Sequence, residues 1–293
     1  MRNQEYPIVK VTLRNGIKMP LLGFGVLQMK DPRECEKSVA QALETGYRMF
    51  DTAASYGNER AVGEALRKGM ERGLADRRDL FVITKLWIRD AGEDSARRAF
   101  EESLERLELD YIDLYLIHQP YNDYYGAWRA MERLYEEGRI RAIGVSNFSQ
   151  ERLTDLCLNS QIPPMVDQVE LHPFYQQDKA LRTMRELGVQ PQAWAPLCEG
   201  LKNIFSNGVL KRIGKKYGKS PAQTALRWNM NIERQVSAVT RSSCPEHIRE
   251  DFQIWDFSLS EADKKAIDQL DLGYSEILDY ENPNIARMFI QKK

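Results

Sequence analysis

Histidine and cysteine are both scarce in this chain of 293 residues, which has only three histidines and four cysteines. The cysteines stand far apart at Cys35, Cys157, Cys198 and Cys244, and no two of them form a Cys-x-x-Cys pair. This spacing excludes the common zinc sites and thioredoxin-like redox motifs. We therefore expect no metal ion, and we expect the thiols to be reduced.

The chain also lacks a strong net charge and long apolar runs. Its 42 Lys and Arg residues balance 43 Asp and Glu residues, which leaves a formal net charge of −1. This balance argues against a nucleic acid or an anionic membrane as the main partner. The first residues contain no apolar signal region, and no run approaches the roughly 18 apolar residues of a membrane span. We expect a cytoplasmic protein.

The order of apolar segments predicts a β-hairpin followed by eight strands that alternate with helices. The hairpin covers Ile8–Leu13 and Ile17–Met19, with Asn15-Gly16 at its turn and Pro20 at its end. The predicted strands are Leu22–Gly25, Met49–Asp51, Phe81–Leu86, Ile112–Ile117, Ala142–Val145, Val166–Val169, Gln190–Trp194 and Val236–Val239. Predicted helices lie at Arg33–Glu44, Asn58–Lys68, Ser95–Leu107, Tyr125–Glu137, Ser149–Leu158, Lys179–Leu187, Pro221–Met230 and Pro245–Phe252.

Eight such units in a chain of this length favour a closed (β/α)8 barrel, the TIM-barrel fold. An inserted helix is predicted at Asn203–Tyr217, and a helix start at Ser260 opens a tail that ends irregularly. No linker interrupts the chain, so we expect one domain over residues 1–293. A doubly wound sheet is the rival architecture, but Gln28 stands where its dinucleotide fingerprint needs a third glycine after Gly23 and Gly25.

Three successive predicted strands place an ionisable residue at or near their carboxyl ends. Asp51 closes the second strand, Lys85 lies near the end of the third, His118 follows the fourth, and Tyr56 is in the loop after Asp51. Each has an ordinary structural explanation by itself, such as capping a loop or packing in the core. A barrel brings them to one mouth, which favours a shared active site.

The four residue types suit the reduction of a carbonyl group. A lysine ammonium beside Tyr56 is expected to lower the pKa of the phenol, and a carboxylate is expected to hold that lysine in place. A histidine can donate a hydrogen bond to a substrate oxygen or relay a proton. The set lacks a nucleophile with an adjacent base, so acyl transfer fits poorly.

Four motifs in this region resemble those of the aldo-keto reductases. They are the segment Gly46–Glu59 (GYRMFDTAASYGNE), Lys85–Trp87, Ile117–Pro120 and Gly144–Phe148. Their order and spacing are similar to the bacterial, broad-specificity branch that includes diketogluconate reductases and prostaglandin F synthase-like members. The resemblance implies a (β/α)8 barrel with a hairpin at its bottom and a tail over the active-site face. It also implies a monomeric reductase that transfers hydride from NADPH to small aldehydes and ketones, with Tyr56 as general acid.

The resemblance also implies roles for particular residues. The catalytic tetrad would be Asp51, Tyr56, Lys85 and His118. Trp194, at a position that is usually tyrosine, would stack on the nicotinamide ring. The cofactor-binding set would be Gly25, Val26, Asp51, Ser146, Asn147, Gln168, Trp194, Ala195, Leu197, Arg241, Ser242, His247 and Glu250. The walls of the substrate pocket would be Phe24, Leu27, Trp87, His118 and Tyr121.

The sequence departs from the family pattern after the eighth predicted strand. The family usually has an arginine five residues past the serine that corresponds to Ser242, where it binds the 2′-phosphate of NADPH. Here that position is His247, which has no planar fork for phosphate, and Asp251 stands where asparagine is common. Arg241 keeps the first positive charge. We expect NADPH, with a weaker preference over NADH than is usual.

Two other classes of function are alternatives to a reductase. Barrels of this family also serve as nicotinamide-binding regulatory subunits, which would bind the cofactor with weak catalysis or none. A phosphosugar isomerase would need a glycine-rich phosphate loop after the seventh strand, and Cys198-Glu199-Gly200 is a poor one. The sequence does not specify the carbonyl substrate. The resemblance implies that the loops Tyr121–Tyr125 and Cys198–Gly208 and the tail Asp279–Lys293 set that choice. We expect Tyr280, Asn282, Arg287 and Phe289 to be within reach of the pocket.

Overall fold

Eight parallel strands close into a barrel in the computed structural model, which describes residues 7–231, 233–280 and 282–291. Their order around the barrel is β10-β3-β4-β5-β6-β7-β8-β9. The strands are β3 (Leu22–Gly25), β4 (Met49–Asp51), β5 (Phe81–Leu86), β6 (Leu114–Ile117), β7 (Ile143–Ser146), β8 (Val166–Glu170), β9 (Gln190–Trp194) and β10 (Ser237–Thr240). The predicted (β/α)8 barrel is confirmed.

Helices surround the barrel and form its outer layer. They are α1 (Pro32–Thr45), α2 (Glu59–Glu71), α3 (Glu93–Leu107), α4 (Tyr124–Glu136), α5 (Gln150–Asn159), α6 (Asp178–Glu186), α7 (Gly208–Tyr217), α8 (Pro221–Asn229), α9 (Pro245–Phe252), α10 (Glu261–Asp268) and α11 (Pro283–Gln291). None of the helices in the described ranges is both long and apolar enough to cross a membrane.

The hairpin closes the amino-terminal end of the barrel. It pairs β1 (Lys10–Thr12) with β2 (Lys18–Pro20), with Val11 opposite Met19. The Ser237 hydroxyl, at the start of β10, donates to the Pro20 carbonyl at 3.2 Å. The Asn15 side-chain amide donates to the carbonyl of Arg141, just before β7, at 3.0 Å. These bonds reach opposite sides of the barrel, so the hairpin spans its floor.

Several predicted boundaries differ from the structure, and three of these differences have local reasons. Strand β6 begins at Leu114 rather than Ile112, because the Asp113 carboxylate accepts from the Val82 amide at 2.9 Å and pairs with two arginines. The inserted helix begins at Gly208, where the Asn207 side chain caps it. The tail ends in helix α11 and not irregularly. Pro283 is the first residue of this helix, and the Asn282 side chain accepts from the Asn284 amide.

A chain of polar side chains runs down the barrel interior from its active-site end. The Gln168 amide nitrogen donates to Asp51 Oδ2 and to Gln192 Oε1, both at 2.8 Å. Gln192 in turn donates to the Ser237 hydroxyl at 3.2 Å. Met49 fills the adjacent space, where a Cβ on Gly23 would lie 2.6 Å from the Met49 methyl carbon. The interior is thus a packed and hydrogen-bonded core that supports Asp51 from below.

Candidate active site

A cavity of about 790 Å³ opens where the carboxyl ends of the barrel strands meet. Parallel strands direct their carboxyl ends to the same face, so residues far apart in sequence become neighbours here. Many of the predicted site residues line this cavity: Gly25, Leu27, Asp51, Tyr56, Trp87, His118, Ser146, Asn147, Gln168, Trp194, Ala195, Leu197 and Arg241.

Lys85 lies directly beneath the cavity and connects three of its groups. Its side chain is fully buried, and Nζ donates to Asp51 Oδ1 at 2.6 Å and to the Thr52 carbonyl at 2.9 Å. A third, longer bond of 3.4 Å runs from Nζ to the phenol oxygen of Tyr56. Burial lowers the pKa of Lys85, and Asp51 opposes that shift. The structure therefore joins Asp51, Lys85 and Tyr56 as the sequence predicted.

Tyr56 is placed by a short, well-anchored turn after β4. It ends a single 3-10 turn, Ala54–Tyr56, and Gly57 follows in the left-handed region with φ 71°. The turn is fixed by Asn58, whose amide nitrogen donates to the Val26 carbonyl at 2.9 Å. Asn58 Oδ1 accepts from the Thr52 hydroxyl at 2.8 Å. Asn58 is thus a positioning residue for the phenol.

The pKa of Tyr56 moves in the direction opposite to the prediction. Burial raises it well above its usual value, and the charges of Asp51 and Glu199 add to that shift. The prediction rested on the ammonium of Lys85, but the burial of the phenol has the larger effect on its pKa. The phenol is therefore neutral at physiological pH. Because Lys85 donates to its oxygen, the phenol proton is free to point into the cavity.

His118 is a neutral imidazole at the cavity wall. Burial lowers its pKa well below the usual value, and the charge of Lys85 adds to the effect. Nδ1 lies 3.3 Å from the Ser55 hydroxyl, and the ring packs edge-on against Tyr56 and Trp87. When Ser55 donates to Nδ1, the proton resides on Nε2. A neutral imidazole in that form can donate to a substrate oxygen.

The predicted nicotinamide ligands form one hydrogen-bonded group. Ser146 donates to the Gln168 carbonyl at 2.7 Å, and Asn147 donates to the His118 carbonyl at 3.0 Å. The Trp194 indole N–H donates to Asn147 Oδ1 at 2.8 Å and so fixes the indole ring at the cavity wall. Both side-chain donor bonds of Gln168 use its amide nitrogen, which leaves the amide oxygen able to accept from a carboxamide.

Six predicted contact residues lie outside the cavity wall, and three of them belong to β3 or to the segments that follow β3 and β6. Phe24 is fully buried and packs on Tyr47 with ring centroids 5.7 Å apart, which corrects its prediction as a pocket wall. The reason is the alternation of a strand, since neighbouring residues face opposite sides. Val26 is buried too, and its amide donates to the Asp51 carbonyl at 3.1 Å. Tyr121 lies one layer behind the wall, against Phe289 at 6.1 Å.

The region after β10 is more open. Arg241 is exposed and lines the cavity, whereas Ser242, His247 and Glu250 lie outside its wall. His247 is exposed on the first turn of α9. Asp251 is buried and accepts from the Thr240 hydroxyl at 2.6 Å. Burial raises the pKa of Asp251 to about 7.

Sequence reasoning missed several residues of the cavity wall. Most of them belong to loops beside the predicted motifs, and Ile277 and Leu278 belong to the tail. The missed wall residues are Gln28, Ser55, Gln119, Pro196, Glu199, Gly200, Phe205, Val239, Thr240, Ile277 and Leu278. The tail residues Tyr280 and Phe289 were expected to reach the pocket, and both line the cavity. The Gln119 amide donates to the Tyr280 hydroxyl at 3.1 Å.

Comparison with known proteins decides the family. The model of the aldo/keto reductase family matches residues 21–272, most of the chain. The chain belongs to the aldo/keto reductase family. A glyoxal reductase of Bacillus subtilis is 44% identical, with 89% of this chain and 92% of the relative covered. A 9,11-endoperoxide prostaglandin H2 reductase of Trypanosoma cruzi is 45% identical, with coverage of 89% and 90%.

Solved structures of the family agree with this barrel. An aldo-keto reductase of Bombyx mori, crystallised in complex with NADP, has a TM-score of 0.89 at 30% identity, and 94% of this chain and 97% of that chain are covered. The family model and the Bacillus subtilis relative together confirm the predicted resemblance to bacterial aldo-keto reductases.

Proposed function

We propose that the protein reduces aldehydes and ketones to alcohols with NADPH, and that Tyr56 is the general acid. The observation that carries the proposal is the buried chain from Asp51 through Lys85 to the Tyr56 oxygen, with the two bonds at 2.6 and 3.4 Å. This chain ends in a cavity large enough for a small carbonyl compound beside a nicotinamide ring. The glyoxal reductase among its relatives supports the same reaction type.

The residues act on the carbonyl oxygen. Tyr56 and His118 both present a neutral donor to the cavity, so two hydrogen bonds can hold that oxygen. A bound nicotinamide dinucleotide would supply the hydride for the carbonyl carbon. As negative charge develops on the oxygen, Tyr56 gives up its proton, and the Lys85 ammonium stabilises the resulting phenolate. Asp51 keeps Lys85 oriented throughout.

The residues present fit a nicotinamide cofactor. Ser146, Asn147 and Gln168 would hold the carboxamide, and the free amide oxygen of Gln168 suits its N–H group. Trp194 offers a flat ring that is already fixed by its bond to Asn147. At the other end, Arg241 would contact the 2′-phosphate of NADPH. His247 replaces a second cation there, so we propose a modest preference for NADPH and measurable use of NADH.

The pocket wall supports an apolar or aromatic carbonyl substrate. Trp87, Tyr280 and Phe289 present rings around one side of the cavity, with the Trp87 and Phe289 centroids 5.8 Å apart. Leu27 adds an aliphatic side chain that is 38% exposed. Such walls bury apolar groups and orient them through a few polar contacts.

The first prediction tests the proposed function through Tyr56→Phe. We expect the wild-type protein to oxidise NADPH when a reactive aromatic aldehyde is added, with slower oxidation of NADH, measured by loss of dihydronicotinamide absorbance. The variant keeps the ring and loses the acid, so kcat should fall about 100-fold or more. Its affinity for NADPH, measured by fluorescence titration, should stay within about twofold of wild type.

Tyr111→Phe is the matched control, because Tyr111 lies away from the cavity against Arg77. It should retain wild-type kinetics. Wild-type turnover by Tyr56→Phe would show that the mechanism is wrong. Binding of NADPH without turnover of any aldehyde or ketone by the wild-type protein would favour a regulatory subunit.

A further inference from the structure

One carboxylate in the cavity wall, that of Glu199, has no part in the proposed reaction. Glu199 follows β9 and lines the same cavity as Tyr56 and Arg241. Its side chain makes no hydrogen bond or ion pair with any residue in the described ranges. The charge reaches the catalytic centre, because it contributes to the raised pKa of Tyr56. An unpaired acid is unexpected in a cavity that is to receive an anionic dinucleotide.

The backbone fixes where this carboxylate lies. Cys198, Glu199 and Gly200 have φ angles of 51°, 50° and 81°, all in the left-handed region. That conformation is unfavourable for Cys and Glu, and it persists only where the surroundings hold it. The Cys198 side chain is fully buried, and its carbonyl accepts from the Leu201 amide at 2.8 Å. The backbone conformation of the loop therefore places Glu199 at the cavity wall.

No cation on the same loop compensates the charge. Lys202 is the only basic residue between Cys198 and Phe205. Its ammonium pairs with Glu276 Oε1 of the tail at 2.6 Å, and this ion pair raises the pKa of Lys202. Within the part of the chain that the structure describes, Arg241 is the only lysine or arginine that lines the cavity, and the proposed function assigns it to the 2′-phosphate.

A dinucleotide in the proposed orientation must pass Glu199. The proposed carboxamide ligands Ser146 and Gln168 lie on β7 and β8, whereas Arg241 follows β10. Strand β9 lies between β8 and β10 in the barrel, so the cavity residues that follow β9, including Glu199, lie between these groups. The pyrophosphate is the middle of the dinucleotide and carries two negative charges, so in this orientation it would lie along this wall.

We propose that Glu199 limits the affinity of the site for dinucleotides by repelling their pyrophosphate. This inference rests on the proposed function. Because the pyrophosphate is common to NADPH and NADH, the charge weakens both to a similar extent and leaves the choice between them to Arg241. The same repulsion speeds the release of the oxidised cofactor after turnover.

Removing the charge of Glu199 tests this inference. NADPH, NADP+ and NADH are each titrated into wild type, Glu199→Gln and Glu199→Asp, with the quenching of protein fluorescence as the readout. We expect Glu199→Gln to lower the Kd of all three by a similar factor of about three to ten, as Coulomb repulsion at close range in a wet site implies. Glu199→Asp keeps the charge and should bind like wild type. The release rate of NADP+, from stopped flow, should fall in Glu199→Gln.

Glu186→Gln is the matched control, because Glu186 is exposed on α6 away from the cavity. It should leave every Kd unchanged. Equal affinities in wild type and Glu199→Gln would overturn the inference, as would a tighter Kd for NADPH alone. Those results leave the reductase proposal intact, whereas a wild-type protein that binds no dinucleotide contradicts the proposed function itself.

Discussion

Lys85 shows how one residue links folding to chemistry. A fully buried ammonium is costly unless its donors are satisfied, and here Asp51, Thr52 and Tyr56 accept from it. The geometry is unequal, since the carboxylate is much closer than the phenol. The pair with Asp51 therefore secures the lysine in the ground state. In the proposed reaction the longer contact would shorten when Tyr56 loses its proton, and the charged form would then be stabilised only in that step.

Asp51 and Asp251 are both buried carboxylates with different partners. Asp51 pairs with Lys85, whereas Asp251 accepts from the Thr240 hydroxyl and forms no ion pair with the described residues. Burial consequently raises the pKa of Asp251 to about 7, compared with about 3.9 in an unfolded chain. Between about pH 4 and about pH 7 the folded state holds a proton that the unfolded state releases. Stability is therefore lost as the pH rises through this window.

The second residue-scale prediction is that Asp251→Asn stabilises the protein in a pH-dependent way. Asparagine keeps an oxygen acceptor for Thr240 and has no charge to bury. The variant should gain little at about pH 4.5 and a few kcal/mol in the free energy of unfolding at about pH 8. Urea denaturation at both pH values measures the difference. Asp110→Asn, at an exposed position, should show no such trend, and a gain of equal size at both pH values would argue against the assignment.

At the scale of helices and strands, the sequence predicted most elements because each apolar run follows a regular period. It also predicted that Asp51, Tyr56, Lys85 and His118 lie close together, since the fold turns the ends of successive strands into neighbours. The predicted orientation of Phe24 was wrong. Every residue of β3 is buried, so its sequence shows no alternation of apolar and polar residues that would indicate which side chains face the cavity. Of the four tail residues expected near the pocket, only Tyr280 and Phe289 line the cavity among the described residues, because the choice depends on how the tail folds back. The pKa of Tyr56 depends on burial, a property of the assembled site.

Helices α2 and α3 pack closely enough to require a glycine. A Cβ on Gly63 would lie 2.3 Å from the Leu107 carbonyl oxygen, and that backbone atom cannot move without shifting a helix. We predict that Gly63→Ala lowers the free energy of unfolding by about 1–3 kcal/mol. Urea denaturation measures it.

Gly208→Ala is the matched comparison for this contact. Gly208 begins α7, and a Cβ there would meet nothing within 4 Å. Alanine at that position should be neutral or stabilising by up to about 1 kcal/mol. If Gly63→Ala were as stable as Gly208→Ala, the close packing of α2 against α3 would be refuted.

Across the whole molecule, the barrel and the tail have separate tasks. The barrel carries the tetrad and the proposed cofactor ligands on strand ends. The tail is fastened to the barrel at Glu170, whose carboxylate accepts from the Ser275 hydroxyl at 2.6 Å. Beyond that point Tyr280 and Phe289 reach the cavity wall. This division allows the substrate pocket to vary while the reacting groups remain in place.

The last prediction follows from this division and concerns a chain that ends after Asn282, without α11. None of the residues of α11 is fully buried, so the free energy of unfolding should change by less than about 1 kcal/mol. The Kd for NADPH should also be unchanged. The KM for bulky aromatic aldehydes should rise about tenfold, because Phe289 no longer covers their apolar surface, whereas the smallest aldehydes should be affected little. Phe289→Ala in the full chain should reproduce the change in KM. An unaltered KM in both variants would mean that α11 does not form part of the substrate pocket.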